Sequence, residues 1–489
     1  MDPNHATALA AILGDDSRVL TDPQLVRQFS RDFYWYSPIL RKQLDNKTAD
    51  IVVQPQNATE IQSILRYAYK NNLPVTTRGA GTGNYGQAVP LKRGIILDLA
   101  RMDQIEKIHE AGYAICQPGV RLGTLENAAR KVNWELRCYP STIAKASVGG
   151  FLAGGSGGIG SVAHGGLRDF QTVRAVEVVT MESEPRILYH EGEAVHDILH
   201  AWGTNGVITR VWLALTPAVD WAQAIICFQT FSNAFDFSER IAADAHWTKR
   251  LITVFEHPIA SFFAPIKQYI PDGQAVIFFL IAASQRDALE LAAKNSGAQI
   301  TYSAPYEGLR TRPLLSDYTW NHTTLWAMKA DEAYTYIQCG FDPTKVREQL
   351  AQLKSRFRQE ILFHMEFMKN GEGQMIPGAI PVVYFTTEQR LNELIDYCRE
   401  IGVSVANPHV NNVEGGGRYR ADNVQLLAKK RYDPKGLMNP GKMVTFEPEI
   451  PQENKAEAPP AENNAVQAEN PAEKSASATI QPATGAAAK

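Results

Sequence analysis

Glycine placement restricts this chain more than any other feature of its sequence. Two dense runs stand out, Arg78-Gly79-Ala80-Gly81-Thr82-Gly83-Asn84-Tyr85-Gly86 and the stretch from Pro140 to Gly160, with Ser141, Ser147, Gly149, Gly150, Gly154, Gly155, Gly157 and Gly158 between. The surroundings of the first run follow from local pattern. Ile51-Val52-Val53 reads as a strand. Asn57, with Glu60 in capping-box position, starts a helix that carries Ile61, Ile64, Leu65 and Ala68 at helical spacing. A strand from Pro74 to Thr77 enters the glycines, and Gly94 to Leu99 reads as the next strand. The glycine loop therefore joins strand to strand. A Rossmann fingerprint needs its glycines to open a helix whose N-terminus receives the pyrophosphate, and Pro90 with the strand pattern after it disfavours that helix. What is left is a loop whose successive N–H groups turn inward as an anion nest, which suits a diphosphate.

The chain has 489 residues, 44% of them hydrophobic, enough for two or three domains with substantial cores. A formal net charge of -3 gives no basic field for nucleic acid or anionic lipid. The opening Met1 to Ser30 lacks the basic head and apolar run of an export signal, so a cytoplasmic protein is expected. No stretch has the roughly 18 uncharged apolar residues of a membrane span. Cys116, Cys138, Cys227, Cys339 and Cys398 form no CxxC pair and are expected to be reduced and mostly buried. From about Glu449 to Lys489 the composition shifts to Ala, Pro, Glu, Asn and Gln, which predicts a disordered tail.

The paired glycine segments resemble the PCMH-type FAD-binding domain of the vanillyl-alcohol-oxidase superfamily. The first is similar to that family's R-G-x-G-T-x pyrophosphate loop and the second to its P-S-S…S-x-G-G-x…A-G-G run. Gly165-Gly166-Leu167-Arg168-Asp169, Val176-Glu177-Val178-Val179, Gly203-Thr204-Asn205-Gly206-Val207-Ile208-Thr209 and Asp433-Pro434-Lys435-Gly436-Leu437-Met438-Asn439-Pro440-Gly441-Lys442 match further motifs in order. The resemblance runs from about Arg31 to Val444 and points to the glycolate oxidase and D-lactate dehydrogenase branch. It implies an α+β architecture with a two-subdomain FAD-binding domain at 46–219 after an N-terminal segment, 1–45. An α+β cap for the substrate follows at 220–426, then a segment at 427–448 that returns to the FAD domain, and the tail at 449–489. It implies the pyrophosphate on the amides of Gly79 to Asn84, with Arg78 and Tyr85 flanking. Pro140, Ser141, Ser147, Gly149, Gly150, Gly154, Gly155, Gly158 and Gly160 would pass beside the ribityl chain and ring, and Val207 and Ile208 near the adenine. Members with covalent flavin usually carry a histidine in the first loop. Here Asn84 and Tyr85 stand instead, and non-covalent FAD is expected.

A flavin carries the hydride step, so the protein must orient substrate and take a proton. His322, His364 and His409 are the candidates in the cap, and a lone buried histidine is more often a satisfied core residue than a catalyst. His409, in the segment resembling the family's E-H-G, is the leading candidate base for a 2-hydroxy acid hydroxyl, with His322 next. Arg310, Arg312 and Arg418 are candidates for the substrate carboxylate, because a guanidinium pairs with carboxylates bidentately; their bland reading is solvated surface charge. The H-x-G-D-x-N-x-H metal motif expected in this branch is absent. His364, Glu366 and His409 are the nearest replacement set for a divalent ion, and a plain hydrogen bond within one strand is the competing reading of the first two.

The expectation is thus an FAD-dependent oxidoreductase acting on a small 2-hydroxy acid and passing electrons to an unidentified acceptor. Oxidation of a sugar, lactone or other alcohol is the alternative. A flavin-binding protein without turnover and a nicotinamide-dependent Rossmann enzyme compete from other classes.

Overall fold

A computed structural model describes residues 3–416 and 423–448. Arg418 and the expected tail at 449–489 lie outside the described residues. The strand, helix, strand, loop, strand order expected near the first glycines forms a small sheet. Ile51–Val53 and Val75–Arg78 both pair in parallel with the central strand Ile95–Asp98, and the short Val19–Leu20 closes one edge antiparallel. Parallel neighbours need a long connection, and residues 79–94 supply it without a helix. Helix Ala58–Lys70 covers this sheet with Ile61, Ile64, Leu65 and Ala68, all fully buried. Its Asn57 cap accepts from the Glu60 amide, but the reciprocal half of the expected box is not made. Glu60 instead accepts from the Gln56 amide at 2.8 Å and pairs with the Arg18 guanidinium at 2.7 Å.

A second, six-stranded antiparallel sheet is organised around the long strand Val207–Pro217. Against it packs a core in which Val148, Leu152 and Ile159 of the second glycine segment are buried. Within that segment Val148–Gly154 forms a short helix, capped by Ser147, which accepts from the Gly150 amide at 3.3 Å. Three glycines in seven residues hide this helix from propensity.

Beyond Pro217 an eight-stranded antiparallel sheet runs in the order 299–306, 221–228, 275–282, 249–255, 364–369, 375–379, 338–340, 404–406. Its central strands are buried on both faces, which explains near-continuous apolar runs such as Ala275–Ala282. Helices Phe231–Ala243, Val346–Phe357 and Glu388–Glu400 cover one face through Phe235, Leu353 and Leu394. The opposite face, toward strand ends 338–340 and 404–406, borders the cavity described below.

The chain then returns to the first sheet. Met438 bridges Val75, the Val75 amide donates to Leu437 O at 2.8 Å, and the Asn439 amide donates to Val75 O at 2.7 Å. Helix Asn423–Tyr432 crosses the boundary expected between 426 and 427. Gln425 already donates to Leu199 O and accepts from Asn205, so the return begins in that helix. Its anchor is a buried ion pair. Lys429 donates to Asp433 and to the carbonyls of Thr204 and Met438, and Asp433 accepts from the Leu437 and Met438 amides. Removing one partner of a buried pair strands the other charge. Lys429→Met is therefore expected to cost about 3–5 kcal/mol, measured as the shift in the urea unfolding free energy.

Candidate active site

A cavity of about 670 Å³ lies between the glycine-bearing segments and the eight-stranded sheet, within the roughly 300–1,000 Å³ usual for small-molecule sites. The whole first loop from Arg78 to Tyr85 lines it. So do Pro140, Ser141, Ser147, Gly149, Gly150, Gly154 and Gly155, with Ile208 beside them. Gly158, Gly160 and Val207 do not. A Cβ on Gly158 or Gly160 would stand 2.0 Å from the Tyr139 or Arg137 carbonyl, so these glycines serve the close Tyr139–Ile159 bridge. Val207 packs in the core of the first sheet.

The two glycine segments meet at Gly79, where an added Cβ would lie 2.3 Å from Ser147 Oγ and 3.2 Å from Gly150 Cα. Arg78 is tied down by a 2.6 Å bond to Arg31 O, and the Phe33 amide donates to Gly83 O at 2.7 Å. The N-terminal segment thus holds the loop from behind, and its Asp32, Phe33 and Tyr36 line the cavity. Sequence reading passed over these residues; the aromatic run Phe33-Tyr34-Trp35-Tyr36 was the available signal. Also missed was the turn at 200–203. His200 and Trp202 have φ of 55° and 53°, uncommon for residues with side chains. Their amides donate to Leu152 O and Ala153 O, which ties this strained turn to the end of the glycine helix.

The facing wall is built on helix Asn321–Ala330, from which His322, Leu325, Trp326 and Lys329 line the cavity. Trp320, just before it, has φ of 52° and ψ of -138°. Glu366 holds that conformation: Oε1 accepts from the Trp320 amide at 2.9 Å and bonds His364 Nε2 at 3.0 Å, while Oε2 accepts from Thr253 at 2.7 Å. The carboxylate set aside for a metal is thus committed to backbone and side-chain partners. His409 does not join the other two. Its Nδ1 bonds Ser37 Oγ and its Nε2 bonds Tyr336 O, both at 2.8 Å. Among the described residues no cluster of three or more His, Cys, Asp or Glu is placed to hold a metal ion.

His409 is absent from the cavity lining, as are Arg310 and Arg312. Arg310 is exposed, and Arg312 donates to Leu309 O and Thr311 O. Of the candidates for proton and carboxylate, His322 alone reaches the cavity among the described residues. Burial lowers its imidazole to about 4, partly opposed by a hydrogen bond to the Asp317 backbone. Among the described residues Nδ1 has no partner, which leaves it the lone-pair nitrogen of a neutral ring. On the same wall the Lys329 ammonium sits 4.1 Å above the Trp326 ring.

An FAD would need a diphosphate nest, room for a planar ring and spare hydrogen-bonding groups. The first loop offers consecutive amides around left-handed Gly81, and the indole N–H groups of Trp202 and Trp320 are buried without partners among the described residues. The residues fit the group. Residues 49–187 match the FAD binding domain family model. The chain is an FAD-dependent oxidoreductase with the PCMH-type architecture. It is 25% identical to D-lactate dehydrogenase of Archaeoglobus fulgidus over 81% of this chain and 91% of that one. It is also 25% identical to the glycolate oxidase subunit GlcD of Escherichia coli, over 81% of this chain and 83% of the relative. The solved structure of an alkyldihydroxyacetonephosphate synthase shares the fold with a TM-score of 0.70 at 18% identity, covering 90% of this chain and 85% of that one. No described helix is long and apolar enough to cross a membrane, and all five cysteines are free and buried.

Burial holds His322 and His409 near about 4, below the roughly 6.5 of an unfolded histidine. Below pH 6.5 the unfolded chain takes up protons that the folded chain refuses, so stability is full above that pH and falls toward pH 4. For fully buried His409 the loss is expected to reach about 3 kcal/mol. Urea midpoints measured between pH 7 and 4 should fall less steeply for His409→Gln than for the wild type.

Proposed function

We propose that this chain oxidises a small 2-hydroxy acid of the D-lactate or glycolate class, using FAD held non-covalently in the cavity. One observation carries the reading: a glycine-lined wall suited to a diphosphate faces a neutral imidazole and an ammonium across the same cavity. The names of the relatives that match over most of the chain support the substrate class.

Bound FAD supplies the acceptor for a hydride from the substrate Cα. The chain's own residues do the rest. The amides of Gly79 to Asn84 hold the diphosphate, and Arg78, anchored on Arg31 O, fixes that loop. Lys329 receives the substrate carboxylate. His322 Nδ1 takes the hydroxyl proton. Leu325, Trp326 and Ile380 keep water from the reacting carbon. In this reading residues before Pro217, with the returning segment, form the flavin-binding part. Those from about 220 form the cap, and electrons pass on to an acceptor of unassigned identity. The five unpaired thiols favour a reducing compartment, the cytoplasm.

A second reading, oxidation of a sugar, lactone or other alcohol, is favoured by the cap wall itself. Among the described residues no guanidinium from the cap lines the cavity, and Trp320, Leu325, Trp326 and Ile380 make that wall largely apolar.

Anaerobic additions of D-lactate, glycolate and D-2-hydroxyglutarate to the flavin-loaded protein separate the two. Bleaching by one of them supports the hydroxy-acid reading; bleaching only by sugar acids or neutral alcohols replaces it with the second. His322→Gln should slow flavin reduction by about 10²–10⁴-fold with the flavin still bound, and a variant that reduces at the wild-type rate removes His322 as the base. Gly79→Ala should weaken FAD by about tenfold or more, since overpacking costs roughly 1–3 kcal/mol. The flavin-to-protein absorbance ratio after gel filtration measures this. Flavin that remains with acid-precipitated wild-type protein would overturn non-covalent binding.

A further inference from the structure

A second cavity, of about 240 Å³, opens at the seam between the six-stranded sheet and the cap. Its walls come from both sides. Arg137 and His164 are supplied by the flavin-binding part, Lys249 and Lys369 by neighbouring strands of the eight-stranded sheet, and Trp221 and Trp247 form apolar flanks.

Its charges do not cancel. Glu135, the carboxylate on the lining, is consumed on its inner side: it pairs with Arg130 and Arg250 and accepts from Trp221 Nε1 at 3.0 Å. Arg250 is further balanced by Glu126 at 3.0 Å. Nearby Asp244 turns its carboxylate to the amide and ring of His246. Among the described residues, Arg137, Lys249 and Lys369 have no carboxylate within ion-pair distance. Each keeps donors in reserve. Arg137 spends Nε and Nη1 on the carbonyls of Leu215 and Phe170, leaving Nη2. Lys249 spends two of its three protons on Ile241 O and Asp244 O, at 3.0 and 2.6 Å. Lys369 makes no side-chain bond among the described residues. Burial first and then Lys369 lower the Lys249 ammonium to about 8 against a partial opposing pull from Asp244, and burial with Arg137, Arg250 and Lys369 lowers His164 to about 4.

Three cations gathered at a small cavity repel one another unless an anion sits among them. We propose that this cavity is a binding site for a compact phosphoryl dianion, either free phosphate or the phosphate of a small ester. Its charge is concentrated enough to be met by Arg137, Lys249 and Lys369 at once, whereas a dicarboxylate of equal charge spreads it along a chain. The volume, below the roughly 300 Å³ lower end for drug-sized ligands, suits a phosphoryl group better than a whole nucleotide. The site is separate from the flavin cavity but adjoins it along one strand: Lys369 directly follows Met368, which lines the larger cavity.

The test uses the full-length, flavin-loaded protein, so that the diphosphate nest is already filled. Inorganic phosphate is titrated against chloride at matched ionic strength, reading tryptophan fluorescence and the thermal midpoint. The expected result is a saturable response to phosphate alone, with Kd on the order of 1 mM or tighter, weakened about tenfold or more in Lys369→Met and Arg137→Met, with the flavin spectrum unchanged. If one variant fails to fold, the other decides. Glycerol 3-phosphate binding tighter than phosphate assigns the site to an ester, and weaker binding assigns it to the free ion; both sustain the site. A response that chloride reproduces, or that survives in the folded variants at full affinity, overturns it.

Discussion

Arg250 is the side chain on which the two halves of the molecule close. It is 2% exposed, lies on a central strand of the cap sheet, and reaches back to Glu126, Glu135 and the Leu136 carbonyl while covering the rings of Tyr139 and Trp221. Its own carbonyl accepts from the Gly160 amide at 2.7 Å. The cap sheet is thereby fixed to the end of the second glycine segment by both side chain and backbone. Burying a cation is costly unless it is paired and hydrogen-bonded; here two carboxylates and the Leu136 carbonyl take up Nη1 and Nη2, while among the described residues Nε has no partner. The main cavity is the space left between walls that this contact holds in register.

Within the eight-stranded sheet, Glu366 does for the wall carrying helix Asn321–Ala330 what Arg250 does for the seam. Its carboxylate accepts from the Trp320 amide, where the backbone is left-handed, and so sets where helix Asn321–Ala330 begins and which of its side chains face the flavin-binding wall. The pairing with His364 and Thr253 gives the carboxylate enough partners to be buried at 3% exposure. On the opposite wall the left-handed turn at His200 and Trp202 is held by the glycine helix in a similar way. Both strained places border the cavity, and Glu366 and Ala153, which hold them, line it as well.

The flavin-binding part was legible because its signals are local. Strand, capped helix and strand-to-strand glycine loop each follow from a short window, and the loop residues Arg78 to Tyr85 lie together on the cavity wall. The cap was less legible for the opposite reason. A histidine's surroundings depend on strands far apart in sequence: His409 looks like a catalytic candidate by its place ahead of the closing motif, yet its two ring nitrogens are taken up by Ser37 and Tyr336. Arg310 and Arg312 sit in a short turn whose direction no periodicity reveals. The N-terminal residues Asp32, Phe33 and Tyr36 were not legible as lining because tertiary contacts bring them to the cavity: Phe33 with Gly83, Asp32 with Ala88 and Tyr36 with Thr335.

The closing motif gives the chain an order of assembly. On its outer side Val75 donates to Leu437 O and accepts from the Asn439 amide, so these bonds form only when that segment has arrived, and the Asn439 side chain then donates to the Gln87 and Trp202 carbonyls, on two different stretches of the cavity wall. During synthesis the cap sheet, complete by residue 406, emerges before these contacts can form. Every strand of the eight-stranded sheet is therefore synthesised before the segment that completes the glycine-bearing wall of the larger cavity, and that wall cannot close until residue 439 is free of the ribosome.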